Sequence, residues 1–162
     1  MTIQEMREKK QEKGYTYTQI SELSGVPLGT VQKIFCGETV DVQLDCDEHT
    51  MVQPDVGILC DRDKMRRWGI FGAPDFLLEV ILPSTGRKDY TKKLAKYMNA
   101  GVREYWILDP YQSKLLVYYF ESDVCPVIYG LDQPVPVNLY NGELTIDFSS
   151  LTEWFEIEAR GE

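Results

Sequence analysis

One apolar run constrains this chain more than any other feature, because one carboxylate lies among residues that are typical of a protein interior. Residues 75–82 read Asp-Phe-Leu-Leu-Glu-Val-Ile-Leu. A run that is apolar at both odd and even positions is typical of a strand covered on both faces of its sheet. Glu79 then lies where an ionised group is costly unless it is paired or coordinated. We therefore expect neighbouring elements to supply a partner for Glu79.

Two flanking segments can supply that partner. Upstream, residues 53–60 form a shorter apolar run that is entered through Asp55. Downstream, residues 87–97 form a lysine-rich helix, in which Lys93 lies one turn before Tyr97 and borders the apolar face. That face is predicted to contain Tyr90, Leu94, Tyr97 and Met98.

Asp55, Glu79 and Lys93 are open to two interpretations. Two carboxylates and a lysine on adjacent elements can hold a divalent cation and position a water molecule. The same residues can also form a structural salt bridge without any chemistry. Residue types alone favour the salt bridge, because structural ion pairs also perturb acids.

Composition indicates a reduced, cytoplasmic, globular protein of one domain or one domain with a small appendage. The chain has 162 residues, of which 43% are hydrophobic and 27% charged. Its polar first ten residues are not a signal peptide, and no run is apolar enough to span a membrane. The four scattered cysteines and one histidine form no zinc-type spacing.

The charge distribution suggests one local surface for phosphate. The net charge of −9 argues against a surface that is basic throughout. The helix from 87 nevertheless concentrates basic residues: Arg87, Lys88, Lys92, Lys93 and Lys96. Such a stripe can contact a phosphate backbone, although a solvated helix face is the simpler interpretation.

The sequence of the N-terminal part predicts a helix over residues 2–13, followed by two short helices joined by a glycine turn. Thr16 or Thr18 can cap the first helix of this pair, which has Ile20 and Leu23 on one face. Gly25 and Pro27 suit a turn and a new helix start.

Residues 16–38 resemble the Cro/repressor-type helix-turn-helix family. The matching residues are Thr16, the run 19–27, the run 29–31 and the closing run 35–38. The resemblance implies a recognition helix at about 28–36, which would contact DNA through Leu28, Gly29, Thr30, Gln32 and Lys33. A helical hairpin used for dimerisation or packing is the alternative. A homodimer is expected by analogy.

The rest of the chain alternates strand-like runs with turns. We predict strands over 40–44, 51–60, 75–82, 104–109 and 114–120, with shorter ones at 126–129 and 143–148. The fourth and fifth of these are predicted to form a hairpin. The charged segment 61–72 is predicted to be a loop and is interpreted as a mobile flap.

Residues 42–155 resemble the Uma family of "putative restriction endonucleases", within the PD-(D/E)xK nuclease superfamily. The resemblance lies in four blocks, at 52–56, at 72–85, at 93–102 and at 104–110. It implies an α/β (α+β) fold for residues 42–162, with a restriction-endonuclease-like mixed sheet and a flanking helix. A small all-α helix-turn-helix would precede it at 1–38.

The resemblance also implies a metal-dependent nuclease site. Asp55 matches the first acid, Glu79 the second and Lys93 a lysine supplied from the helix, because the usual lysine position is Ile81 here. Asp55, Glu79 and the Val80 carbonyl would bind Mg²⁺ or Mn²⁺. The expected substrate is DNA, whose flanking phosphates Arg87, Lys88 and Lys92 would contact.

Two further expectations follow from these resemblances. Both families normally have additional elements at the junction 39–41, so we expect that an internal segment is absent there and that both domains are incomplete. The alternative function is a non-catalytic DNA-binding regulator that uses the nuclease-like fold for dimerisation or sensing. A third possibility is a structural ion pair in a protein that binds another protein.

Overall fold

The computed structural model of this chain describes residues 3–24, 40–44, 50–81, 87–122 and 125–151. For residues 3–6, 24 and 87–90 it describes the backbone alone. The helices are α1 (Ile3–Lys13), α2 (Tyr17–Ser24) and α3 (Arg87–Ala100). The strands are β1 (Asp41–Gln43), β2 (Met51–Val52), β3 (Val56–Ile58), β4 (Met65–Arg66), β5 (Gly69–Phe71), β6 (Phe76–Val80), β7 (Glu104–Asp109), β8 (Lys114–Tyr119), β9 (Val127–Gly130), β10 (Val135–Val137) and β11 (Leu144–Ile146). None of the helices in these ranges is long and apolar enough to cross a membrane.

The chain divides into two compact units. The first contains Met1–Pro54 and Leu59–Ala73, and the second contains Asp55–Ile58 and Pro74–Glu162. Both carry mixed sheets, so the predicted α/β class is confirmed.

The first unit contains α1, α2 and a four-stranded sheet in the order β2-β1-β5-β4. A reciprocal cap starts α2 at Thr16, one of the two threonines predicted to cap it. The Thr16 hydroxyl accepts from the Gln19 N–H, and the Gln19 carboxamide accepts from the Thr16 N–H at 2.8 Å. β1 and β5 run parallel and approach closely at Gly69, where a Cβ would overlap the Asp41 carbonyl. Glycine is therefore required at that crossing.

The second unit is built on a five-stranded sheet in the order β3-β6-β7-β8-β9. β6 and β7 are parallel and the other neighbours are antiparallel. Parallel neighbours need a crossover connection, and α3 lies within it. β6 is almost wholly buried, as its two-sided apolar pattern predicts.

The two faces of this sheet bury different side chains. One face contributes to the main core, in which Phe76 and Trp106 meet edge-to-face with ring centroids 5.1 Å apart. The opposite face carries Leu77, Glu79, Tyr105 and Ile107, because side chains alternate along a strand. Tyr97 of α3 packs on Tyr105 of this second face, with ring centroids 5.0 Å apart.

Several predicted elements are confirmed, and others are corrected. The strands at 104–109 and 114–120 form the predicted antiparallel hairpin, and α1 and α3 lie where they were expected. Residues 51–60 do not form one strand: β2 and β3 belong to different sheets, because Pro54 lacks the N–H that a continuous ladder needs. Residues 61–72 are not a simple loop, since β4 and β5 pair there and β5 also pairs with β1.

Two residues predicted to face inward are exposed instead. Met98 is 54% exposed, because it lies about 100° around the helix from the fully buried Tyr97. Leu23 is 71% exposed, so the described part of α2 does not bury the face expected of a helix pair. The predicted recognition helix 28–36 lies outside the described residues, and so does residue 39 of the junction.

A second buried acid joins the sheet to the chain that follows it. Glu104 is 2% exposed at the start of β7. Its Oε1 accepts from the Trp106 indole N–H at 2.7 Å and from the Asn138 N–H at 3.2 Å. Its Oε2 accepts from the Leu139 N–H at 2.8 Å. Both carboxylate oxygens are thus used for structure.

We expect Glu104→Ala to lower the free energy of unfolding by about 3 kcal/mol, because three N–H donors lose their acceptor in a buried setting. Urea denaturation measures this difference. Glu143→Ala is the matched control: Glu143 is exposed, and its loss should change stability by less than about 0.5 kcal/mol. A Glu104→Ala variant as stable as this control would contradict the assigned role.

Candidate active site

The two acids predicted for the site meet where β3 and β6 pair: Asp55 directly precedes β3, and Glu79 lies in β6. The antiparallel register pairs Val56 with Leu78, so its continuation by one residue sets Asp55 opposite Glu79. Opposite residues of an antiparallel pair share a face, with Cβ atoms about 5 Å apart. Asp55 is exposed and Glu79 is 8% exposed, so one acid faces water and the other is covered.

Asp55 is held by a backbone hydrogen bond from β6. Its Oδ2 accepts from the Val80 N–H at 2.7 Å. Within the described residues, its Oδ1 accepts no hydrogen bond. The side chain is therefore fixed through one oxygen, while the other is available to a ligand.

Glu79 is held by two side chains of α3. Its Oε1 accepts from the Lys93 ammonium at 2.9 Å and from the Tyr97 hydroxyl at 2.7 Å. Lys93 and Tyr97 are four residues apart, so they lie on the same side of the helix. No described residue donates a hydrogen bond to Glu79 Oε2. The structure thus brings together Asp55, Glu79 and Lys93, the three predicted catalytic residues.

Tyr97 is a member of this cluster that the sequence analysis assigned to the core alone. It is fully buried, and burial together with the hydrogen bond to Glu79 raises the pKa of its phenol far above the ordinary range. Tyr97 is therefore a permanent donor to Glu79 and neither a base nor an anionic ligand. Its spacing of four residues from Lys93 is the sequence signal that could have identified it.

The donor chemistry of the cluster fits a hard divalent cation. Asp55 and Glu79 each keep one carboxylate oxygen without a hydrogen bond from the described residues. In the described ranges, no group of three or more His, Cys, Asp or Glu residues could hold a metal ion. Mg²⁺ is usually bound through one or two carboxylates, with water and substrate phosphates completing its shell. Two acids are thus enough for Mg²⁺ or Mn²⁺, whereas this part of the chain lacks a zinc-type ligand set.

The predicted phosphate and DNA contacts are described only in part. Lys92 is exposed on α3, beside Lys93 in sequence. Arg87 and Lys88 begin the same helix, and their side chains lie outside the described residues. The five predicted base-reading residues, Leu28, Gly29, Thr30, Gln32 and Lys33, also lie outside them.

Comparisons with known proteins agree on one kind of fold. The model of the Uma2 family, described as "Putative restriction endonuclease", matches residues 7–149. A solved structure, that of a "putative nuclease belonging to DUF820" from Anabaena variabilis ATCC 29413, superposes with a TM-score of 0.56 at 19% identity. The superposition covers 72% of this chain and 66% of that one. No protein in the curated set matches the sequence.

We expect Tyr97 to make the protein less stable at high pH. Its pKa is raised in the folded state, so above the unfolded value near 10 the unfolded chain releases a proton that the folded chain keeps. The contribution is constant below about pH 10 and falls above it by up to about 1.4 kcal/mol per pH unit. Urea denaturation at pH 8, 10 and 11 should show a smaller decline for Tyr97→Phe than for the wild type. Equal declines would contradict this.

Proposed function

We propose that this chain, which belongs to the Uma2 family, is a metal-dependent endonuclease that hydrolyses phosphodiester bonds of DNA. The observation that carries the proposal is the convergence of three charged side chains at one end of β3 and β6. Asp55 lies across from Glu79, and the Lys93 ammonium lies 2.9 Å from Glu79. This is the set of groups that phosphodiester hydrolysis with a divalent cation needs.

Each residue has a distinct role in the proposed reaction. Asp55 Oδ1, Glu79 Oε2 and the Val80 carbonyl would hold Mg²⁺ or Mn²⁺ through oxygen atoms. When bound, the ion would supply Lewis acidity to the scissile phosphate and to the attacking water. The Val80 N–H already orients Asp55, so one residue would serve the site through both of its backbone polar groups.

Lys93 is suited to act on the water or on the phosphate. Its side chain is 37% exposed, so the ammonium is reachable from solvent while it pairs with Glu79. A cation at this place can orient the water or stabilise the negative charge that develops on the phosphate. Lys93 would take this role from α3, since the usual position on the strand is Ile81.

DNA would be held by basic residues beside the site and read by the N-terminal segment. Lys92 is exposed on α3, and Arg87 and Lys88 precede it on the same helix. A helix-turn-helix at 1–38 would present Leu28, Gly29, Thr30, Gln32 and Lys33 to the major groove and so direct cleavage to a site. The reciprocal cap at Thr16 and Gln19 supports its first helix. A homodimer would follow from the analogy with repressor-type modules.

We expect Asp55→Ala and Glu79→Ala to abolish Mg²⁺- or Mn²⁺-dependent cleavage, because each removes a ligand. Lys93→Met should lower the rate by about 10²-fold or more, through loss of charge stabilisation. The assay is nicking and linearisation of plasmid DNA with and without EDTA. Arg103→Gln is the control: it removes a partly exposed cation that precedes β7, at the opposite end of the sheet, and should leave the rate unchanged.

Metal binding separates this proposal from the regulator. Calorimetry should detect Mg²⁺ or Mn²⁺ binding to the wild type and none to Glu79→Gln. Cleavage that persists in Asp55→Ala or Glu79→Ala would refute the assigned residues. A wild type that binds DNA, binds no metal and does not cleave DNA would favour the non-catalytic regulator, with Lys93 and Glu79 as an ion pair.

We expect Lys92→Gln to weaken DNA binding equally for all sequences, because a phosphate contact carries no sequence information. The slope of log Kobs against log salt concentration should decrease by about 1 for one lost contact. Fluorescence anisotropy at several salt concentrations measures this slope, and Arg103→Gln, at the opposite end of the sheet, is the control whose slope should not change. An unchanged slope would remove Lys92 from the DNA interface.

A further inference from the structure

Glu79 presents its two oxygen atoms to very different surroundings. Oε1 accepts two hydrogen bonds, from Lys93 at 2.9 Å and from Tyr97 at 2.7 Å. An ionised carboxylate has about two acceptor positions per oxygen, so these donors fill those of Oε1. Oε2 receives no hydrogen bond from the described residues. A cation can therefore approach Glu79 through Oε2 alone.

We propose that Tyr97 restricts Glu79 to one-oxygen coordination and thereby makes the site selective for small octahedral cations, Mg²⁺ and Mn²⁺, over Ca²⁺. Ca²⁺ takes six to eight oxygen ligands and often uses both oxygens of one carboxylate, whereas Mg²⁺ takes six at shorter distances. Blocking Oε1 removes the two-oxygen mode that favours Ca²⁺. Tyr97 is then a positioning residue that acts through Glu79, and the inference rests on the proposed function.

The packing of Tyr97 makes it a stable block. The ring is fully buried and contacts Tyr105 edge-to-face, with an interplanar angle of 69°. The side chain thus has little freedom to release Glu79. Lys93 is partly exposed, and while it pairs with Glu79 it fills the second acceptor position of Oε1.

Asp55 is arranged in the same way. The Val80 N–H holds its Oδ2 at 2.7 Å, and Oδ1 is left to a ligand. Each acid therefore offers one oxygen and uses the other to fix its own orientation. Two single oxygens suit a cation that keeps several water molecules and takes the rest of its ligands from substrate.

The test compares cation selectivity in the full chain with and without the Tyr97 hydroxyl. Mn²⁺ is the probe, because the free ion is counted directly by electron paramagnetic resonance. Mg²⁺ and Ca²⁺ are then titrated as competitors, and the ratio of their competition constants is compared between the wild type and Tyr97→Phe. Tyr119→Phe is the control, since it removes a hydrogen-bonded hydroxyl on the other face of the sheet.

The wild type should prefer Mg²⁺, and Tyr97→Phe should shift the ratio of competition constants toward Ca²⁺ by about 10-fold. This is the lower end of the change in metal affinity seen when a residue that hydrogen-bonds a metal ligand is removed. Tyr119→Phe should leave the ratio unchanged. A hydroxyl with a structural role alone would change folding stability and leave the ratio intact, and that result would overturn the inference. Lys93→Met opens the other acceptor position of Oε1 and should shift the ratio in the same direction, which keeps the test decisive if Tyr97→Phe folds poorly.

The outcomes separate this inference from the proposed function. A wild type that does not bind Mn²⁺ overturns both the proposed function and the role of Tyr97. Mn²⁺ binding that is lost in Glu79→Gln supports the metal site. If the Mg²⁺ to Ca²⁺ ratio then stays the same in Tyr97→Phe and Lys93→Met, the role of Tyr97 is overturned. Binding with a shifted ratio in both variants supports the inference.

Discussion

The architecture of the second unit depends on a carboxylate near the C-terminal end of a buried strand. Glu79 is covered by α3 on its face of the sheet, and β6 is flanked by β3 and β7. Burial of an ionised group is tolerated only when strong donors surround it. α3 meets this requirement with Lys93 and Tyr97, so the packing of the helix and the charge of the acid require each other. The same contacts fix the place where a reaction could occur.

Two of the buried acids of this sheet, Glu104 and Glu79, differ in how many of their oxygens the protein uses. Glu104 uses both oxygens to accept N–H groups, which ties β7 to the segment at Asn138 and Leu139. Glu79 uses only one oxygen for its protein partners. A fully satisfied acid has no capacity left for a ligand, whereas a half-satisfied one retains it. The number of occupied oxygens, more than burial, therefore distinguishes Glu79 from Glu104 as an acid with capacity for a ligand.

Sequence reasoning located this region well because its signals are local. The two-sided apolar run around Glu79 specifies a buried strand, and the position of Lys93 beside Tyr97 follows from helical periodicity alone. The division of 51–60 between two sheets and the pairing of β4 with β5 depend on partners distant in sequence. The hydroxyl of Tyr97 was missed because its acid partner is 18 residues away in sequence, and only its spacing of four residues from Lys93 indicated the shared cluster.

The negative charge of the chain gives α3 a second role, as a basic region on an acidic protein. With a net charge of −9, most of the protein repels a nucleic acid, and approach depends on a local exception. α3 is such an exception, because it carries Lys92 on its exposed side and presents Lys93 to Glu79. One helix would thus attract the phosphate backbone and orient the acid that acts on it. Since both tasks use adjacent residues, a phosphate drawn to Lys92 would arrive beside the carboxylates instead of elsewhere on an acidic surface.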